Sequence, residues 1–271
     1  MTIVDTPPRR LTFSALFNFR DLGGYRTGGG HTVRWRRLFR SDSLHRLTLA
    51  DAAAFDALGI RTVIDLRRVT EVDRDGRVPG HDRFAYHHIE PMHELWEATP
   101  PPTDGTGHAR WLADRYLDLA RDGAGGIAAA LAVIADPDSA PVTVHCVAGK
   151  DRTGVVCAVA LALLGVADDE IAVDYALSAE ATTDLLAWVA ETGAELPDLP
   201  PAYFASPAEA MRLFLAELRA AYGSVEAYAR AAGLAPAQLA ALRGHLLDAT
   251  GPVPAGPAAT DRDAAGNDGA G

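Results

Sequence analysis

The chain has 271 residues, 48% of them hydrophobic, enough to bury one sizeable core. Its formal net charge of −11 argues against general binding to nucleic acid or to an anionic membrane, since both favour a basic surface. The apolar runs are short and alanine-rich, so no integral membrane span is expected.

The first ten residues, "MTIVDTPPRR", form an N-terminal extension without the apolar stretch of a secretory signal. Cys146 and Cys157 are too few for a disulfide framework and fit free thiols of a reducing compartment, so the expected location is cytoplasmic. From residue 11 to 47 the chain is rich in glycine, arginine and aromatics, and "LFNFRDLGGYRTGGG" predicts strand, turn and loop. Thr48 offers a helix N-cap with Asp51 three residues on, and Gly59 offers the stop. "RTVIDL" (61–66) and "PVTVHC" (141–146) predict buried parallel strands, with "FAYHHIE" (84–90) a less apolar third. Helices are expected at 109–121 and at 125–135, where Ile127, Leu131 and Ile134 recur at i, i+4 and i+7. This alternation, which lasts to residue 165, predicts an α/β fold with a central, mostly parallel sheet flanked by helices.

Beyond residue 166 the pattern is helical. Ser206-Pro207-Ala208-Glu209 joins a capping box to a proline at the first helical position, and Met211, Phe214, Leu215 and Leu218 then share one apolar face. "ETGAELPDLPP" is a proline-rich connector. Residues 251–271 hold almost no large apolar side chains and are expected to be a disordered tail.

The most informative stretch is "HCVAGKDRTG", His145 to Gly154. A β-run, a glycine-interrupted loop and a helix start can aim the amides of Val147, Ala148, Gly149, Lys150, Asp151 and Arg152 at one anion. Such a field favours the thiolate, which makes Cys146 a candidate nucleophile for in-line attack on phosphorus. Arg152 can return over the loop and hold two phosphate oxygens with its planar fork. Thr153 can donate its hydroxyl to the sulfur, and His145 can fix the loop by hydrogen bonds. Cys157, inside the apolar run "GVVCAVALALL", is expected to be a packed core thiol.

A leaving oxygen needs a proton, and two aspartates compete to supply it. Asp65 ends the "TVIDLR" strand on the rim where parallel sheets collect their sites, whereas Asp151 lies in the loop itself. Lys150 is the single lysine among 25 basic residues, which suggests that arginine would not serve there. Asn18, Arg20 and Asp21 are expected to brace the phosphate loop as supporting residues. His87, His88 and His93 are not completed into a metal site by any carboxylate or cysteine pattern, and no metal is expected.

"HCVAGKDRTG" resembles the C-x5-R signature of cysteine-dependent phosphatases, in the form found in bacterial tyrosine phosphatases of the mycobacterial tyrosine phosphatase B type. "NFRDLGGY" (18–25), "LFRSDSL" (38–44) and "VIDLR" (63–67) agree with that family in the same order. The resemblance implies a phosphatase domain over residues 11–250 with a C-terminal helical lobe, and a helical lid for which 178–220 is the candidate. It implies a protein tyrosine or dual-specificity phosphatase with a phosphocysteine intermediate, no cofactor, and Asp65 as the acid with Asp151 second. "GKDR" is similar to the loop of phosphoinositide phosphatases in which the lysine faces further ring phosphates. The expected partner is therefore a phosphorylated protein or a phosphoinositide. Two rivals use similar loops: a rhodanese-type sulfurtransferase and an inactive module that binds a phosphorylated ligand.

Overall fold

The computed structural model describes residues 8–91, 100–102, 107–194 and 200–248. Most of the N-terminal extension, His93, connector residues 195–199 and the tail 251–271 lie outside the described residues. In chain order the elements are β1 (Arg20–Asp21), β2 (Leu38–Ser41), α1 (Ala52–Asp56), β3 (Thr62–Asp65), α2 (Val69–Asp75) and β4 (Ala85–His88). Then follow α3 (His108–Asp122), α4 (Ala124–Ala135), β5 (Val142–His145), α5 (Asp151–Leu164), α6 (Asp168–Ala176) and α7 (Ser178–Thr192). The chain closes with α8 (Ala208–Tyr222), α9 (Val225–Ala231) and α10 (Pro236–Leu246).

The five strands lie in the order β1-β2-β5-β3-β4, parallel except for β1. Side chains alternate across this sheet as strand geometry requires. Leu38, Ile64, Val142 and Val144 join one core with Leu112, Val155 and Phe214 of the helices, whereas Phe39 and Val63 join Phe13, Phe19 and Phe55 on the other face. The register levels the strand ends, with Ser41 and Asp65 both opposite His145. One rim therefore collects Asp42, Leu66 and Cys146, the residues that follow the three strands.

α5 is buried on nearly every side from Arg152 to Leu164, because "GVVCAVALALL" carries no charge to turn toward water. Within it the Cys157 thiol is fully buried, and burial pushes its pKa up to about 11, as suits a core thiol.

Two sequence expectations change, and one strand lies outside those expected. β2 escapes the sequence pattern, since its four residues "LFRS" hold two polar side chains, Arg40 and Ser41, that are nonetheless buried. α8 starts at Ala208 with Pro207 as its N-cap and no side-chain cap bond; Ser206 Oγ is buried without a partner among the described residues. The expected lid also divides. Met211, Phe214, Leu215 and Leu218 of α8 belong to the core, whereas α7 buries Ser178 and Ala181 alone. α7 is tied to the N-terminal segment by the Arg10–Asp184 ion pair and by the Phe17 and Trp188 rings, whose centroids are 5.8 Å apart.

Candidate active site

The loop after β5 is shaped from outside. Gly149 adopts φ +65°, and a Cβ there would stand 2.2 Å from Ser41 O, so only glycine lets the loop lie against the end of β2. Every carbonyl from Cys146 to Lys150 meets a polar group beyond the loop. His145 Nδ1 lies 3.2 Å from Cys146 O, Ser43 N–H donates to Val147 O at 2.9 Å, and Asn18 Nδ2 donates to Ala148 O at 2.8 Å. Arg40 Nη2 donates to Gly149 O at 2.7 Å and to Lys150 O at 3.4 Å. Among the described residues no N–H of positions 147–150 donates to a protein acceptor.

Arg152 is aimed by a partner that the sequence did not flag. Its Nη1 and Nη2 donate to Glu71 Oε2 at 2.5 Å and Oε1 at 3.1 Å, and Nη1 also reaches Leu66 O at 3.3 Å. Glu71 sits in the first turn of α2 and accepts the Arg68 N–H at 2.7 Å, which fixes the carboxylate before it meets the guanidinium. Burial alone would raise the Glu71 pKa, but the Arg152 bonds and charge outweigh it and hold the carboxyl below its ordinary value.

The bracing network is wider than Asn18, Arg20 and Asp21. Asn18 reaches the loop directly and also meets Ser178 Oγ at 3.3 Å, while its Oδ1 accepts from Arg20. Arg20 and Arg40 converge on Asp174 of α6, with Arg20 Nε at 3.0 Å and Arg40 Nη1 at 2.8 Å, and Tyr25 donates its hydroxyl there too. Arg20 thus supports the loop through Asp174 and Arg40. Asp21 does not touch the loop: its carboxylate accepts the Gly23 and Arg36 N–H groups, each at 2.7 Å, and folds the turn after β1.

Asp65, the expected acid, is bound to structural partners. Its side chain is fully buried, accepts from Arg67 Nη2 at 2.7 Å, Nε at 2.9 Å and N–H at 3.0 Å, and from Tyr86 Oη at 2.7 Å. Burial alone would raise its pKa, but the charge of His145 and the bonds from Arg67 and Tyr86 hold the carboxyl far below the usual range. His145, 3.6 Å away, is itself driven toward the neutral form by burial, so Arg67 and Tyr86 carry the effect. Both oxygens of this carboxylate are thus committed to Arg67 and Tyr86. Asp151 differs. It opens α5 beside the loop, its side chain is 22% exposed, and Oδ1 accepts from Tyr116 Oη at 2.7 Å with Lys150 Nζ at 3.4 Å.

Lys150 has partners of its own. It is buried, and Nζ donates to Tyr203 O at 2.8 Å and Ala205 O at 2.7 Å, so the ammonium ties the loop to the segment just past the connector. Thr153 Oγ1 is buried with no partner among the described residues. His88 Nε2 lies 2.7 Å from Arg67 O, which gives that imidazole a structural partner.

A tyrosine phosphatase family model matches residues 11–248. The chain belongs to the tyrosine phosphatase family. It is 32% identical over 277 positions to the triple specificity protein phosphatase PtpB of Mycobacterium tuberculosis, a match covering 85% of this chain and 96% of that protein. A tyrosine-protein phosphatase of Nostoc commune is 33% identical over 52% of this chain and 47% of its own. The protein is accordingly a phosphoric monoester hydrolase of the protein tyrosine and dual-specificity type, and the sulfurtransferase and inactive-module readings fall away.

Four residues of the phosphatase site escaped the sequence reading. Arg40 lay inside the quoted string "LFRSDSL" yet had no visible partner, because Asp174 is 134 positions away. Glu71 carried one local signal: it stands three residues after Arg68, where a capping box places an acid. Asp174 and Tyr116 sit in helices whose patterns announce only packing.

Proposed function

We propose that this phosphatase hydrolyses phosphotyrosine in proteins through a phosphocysteine at Cys146, with Asp151 as the acid. What carries the reading is the anchoring of all five loop carbonyls from outside, since this leaves the opposed N–H groups available to one phosphate. The Cys146 thiolate attacks phosphorus, forming the S–P bond as the O–P bond breaks. The Asp151 carboxyl gives its proton to the departing phenolate oxygen. Water then attacks phosphorus, Asp151 takes up its proton, and the S–P bond breaks to release phosphate and restore the thiolate. Arg152, aimed by Glu71, holds two equatorial oxygens throughout, and Thr153 steadies the departing sulfur. α7, lightly packed beside Asn18, is the element we assign as a cover over the site. Two free thiols fit a reducing compartment and support a cytoplasmic location.

Substitution of Cys146 by Ser tests this reading: turnover of a phosphotyrosine peptide should vanish while the peptide still binds. Vanadate should inhibit the native enzyme, and chelators should not. Loss of activity to a chelator, with Cys146→Ser still active, would overturn it.

A phosphoinositide is the second substrate class. The Gly149-Lys150-Asp151-Arg152 string favours it and the two carbonyl bonds of Lys150 Nζ oppose it. The deciding assay compares kcat/KM for a phosphotyrosine peptide and a polyphosphorylated inositol lipid.

A further inference from the structure

Tyr116 lies on α3, Tyr175 on α6 and Asp151 at the start of α5, so three helices bring their polar groups to one point beside the phosphate loop. Both tyrosines are buried. Their hydroxyl oxygens are 2.5 Å apart, and Tyr116 Oη is 2.7 Å from Asp151 Oδ1. A phenol has one proton to donate. Tyr116 donates it to the carboxyl, so Tyr175 must donate to Tyr116, and the chain runs Tyr175 to Tyr116 to Asp151.

Its direction matters for the chemistry. Oδ1 accepts from Tyr116 and faces Lys150 Nζ at 3.4 Å, which makes it the oxygen that cannot carry the acid's proton. Oδ2 has no partner among the described residues. We propose that Tyr116, backed by Tyr175, is a positioning residue that turns Asp151 so that Oδ2 holds the proton and delivers it to the leaving oxygen. The proposal rests on the reading of Asp151 as the acid.

The surroundings fit a rigid relay. A Cβ at Gly154 would lie 3.3 Å from Tyr175 Cδ2, so this glycine lets the Tyr175 ring settle against α5. The Tyr116 and Tyr175 rings meet edge to face with centroids 5.9 Å apart, and Phe214 closes on Tyr116 at 6.1 Å. Burial, followed by the Asp151 charge, raises the pKa of both phenols, so both remain donors at any working pH. Among the described residues, the charged groups around Asp151 are Lys150 on its own loop and Arg152 in its own helix, with the two phenols facing it from α3 and α6.

The test is kcat/KM for a series of aryl phosphates with increasingly basic leaving groups, from para-nitrophenyl to phenyl phosphate. The enzymes compared are wild type, Tyr116→Phe, Tyr175→Phe, Asp151→Asn and Tyr116→Phe/Asp151→Asn. Each phenylalanine removes one hydroxyl and keeps the ring, and Tyr175→Phe provides the same test one step back should Tyr116→Phe fold poorly. Tyr116→Phe should lose about tenfold on phenyl phosphate, the equivalent of one ordinary hydrogen bond, and little on para-nitrophenyl phosphate. Tyr175→Phe should lose less in the same sense, and the double variant should be no worse than Asp151→Asn. If Asp151→Asn steepens the leaving-group dependence while both tyrosine variants lose activity equally on every substrate, the positioning role is wrong and the acid stands. If Asp151→Asn itself shows no such dependence, the acid assignment fails and this proposal with it.

Discussion

Arg152 grips Glu71 with both terminal nitrogens, at 2.5 and 3.1 Å, across the gap between α5 and α2. The pair sets the plane of the guanidinium before any phosphate arrives. A charge-assisted contact of this kind contributes about 1.5–3 kcal/mol. Glu71→Gln keeps the shape and removes the charge, so kcat/KM should fall roughly ten- to a hundredfold on every phosphate ester. Steady-state kinetics on two unrelated substrates checks this, and an unchanged kcat/KM would mean that Arg152 needs no external aim.

Asp65→Asn should act on stability more than on chemistry. It leaves the buried Arg67 guanidinium without its carboxylate, a loss on the order of 3–5 kcal/mol for a buried pair. A large drop in melting temperature is expected, with any activity lost evenly across leaving groups. A selective loss on basic leaving groups would return the acid role to Asp65.

Asp174 joins Arg20 and Arg40 in the interior, and through Arg40 it reaches Gly149 O. Burial alone would raise its pKa, but the two arginines hold the carboxyl well below its ordinary value. Asp65 is depressed in the same sense. Carboxylates with lowered folded-state pKa values stabilise the fold above the unfolded value of about 4, and that stability is lost as pH falls below it. Burial also holds the His45, His145 and His245 pKa values below the ordinary imidazole value, so these groups cost stability once pH falls below about 6.5. The melting temperature should therefore be nearly flat from about pH 8 to pH 7, decline below about pH 6.5 and fall most steeply below about pH 4. Asp174→Asn should lower the plateau and shallow the acid limb; a curve parallel to wild type would remove Asp174 from this role.

Lys150→Ala frees the Tyr203 and Ala205 carbonyls from the loop. Amide hydrogen exchange over residues 203–206 should quicken, and activity on a phosphotyrosine peptide and a phosphoinositide should fall in equal proportion. A disproportionate loss on the phosphoinositide would show the ammonium leaving its carbonyls to meet substrate.

These particulars mark what a sequence can reveal. The phosphate loop was legible because its chemistry is contiguous: Cys146, Gly149 and Arg152 fall within seven residues, and each has a local reason. β3 and β5 were legible for a similar reason, being apolar β-branched runs. The partners of the loop were not, because Arg40, Glu71 and Asp174 meet it only after the sheet has formed. Asp65 was legible in part. Its place at a strand end and a salt bridge with Arg67 two residues on are both visible in sequence, whereas its bond to Tyr86 depends on how β3 and β4 pair. Lys150 stands out in the sequence by its rarity, which suggests a need for lysine and carries no sign of its carbonyl partners.

The central claim is that Cys146 becomes phosphorylated during turnover. Acid-quenching the enzyme in the presence of a rapidly cleaved aryl phosphate, followed by mass spectrometry of the peptide spanning Val142 to Arg152, tests it directly. The account predicts a phosphoryl adduct on Cys146 that appears within the first turnover and is absent from Cys146→Ser. Steady turnover by Cys146→Ser, or an adduct on any other residue of the loop, would contradict it.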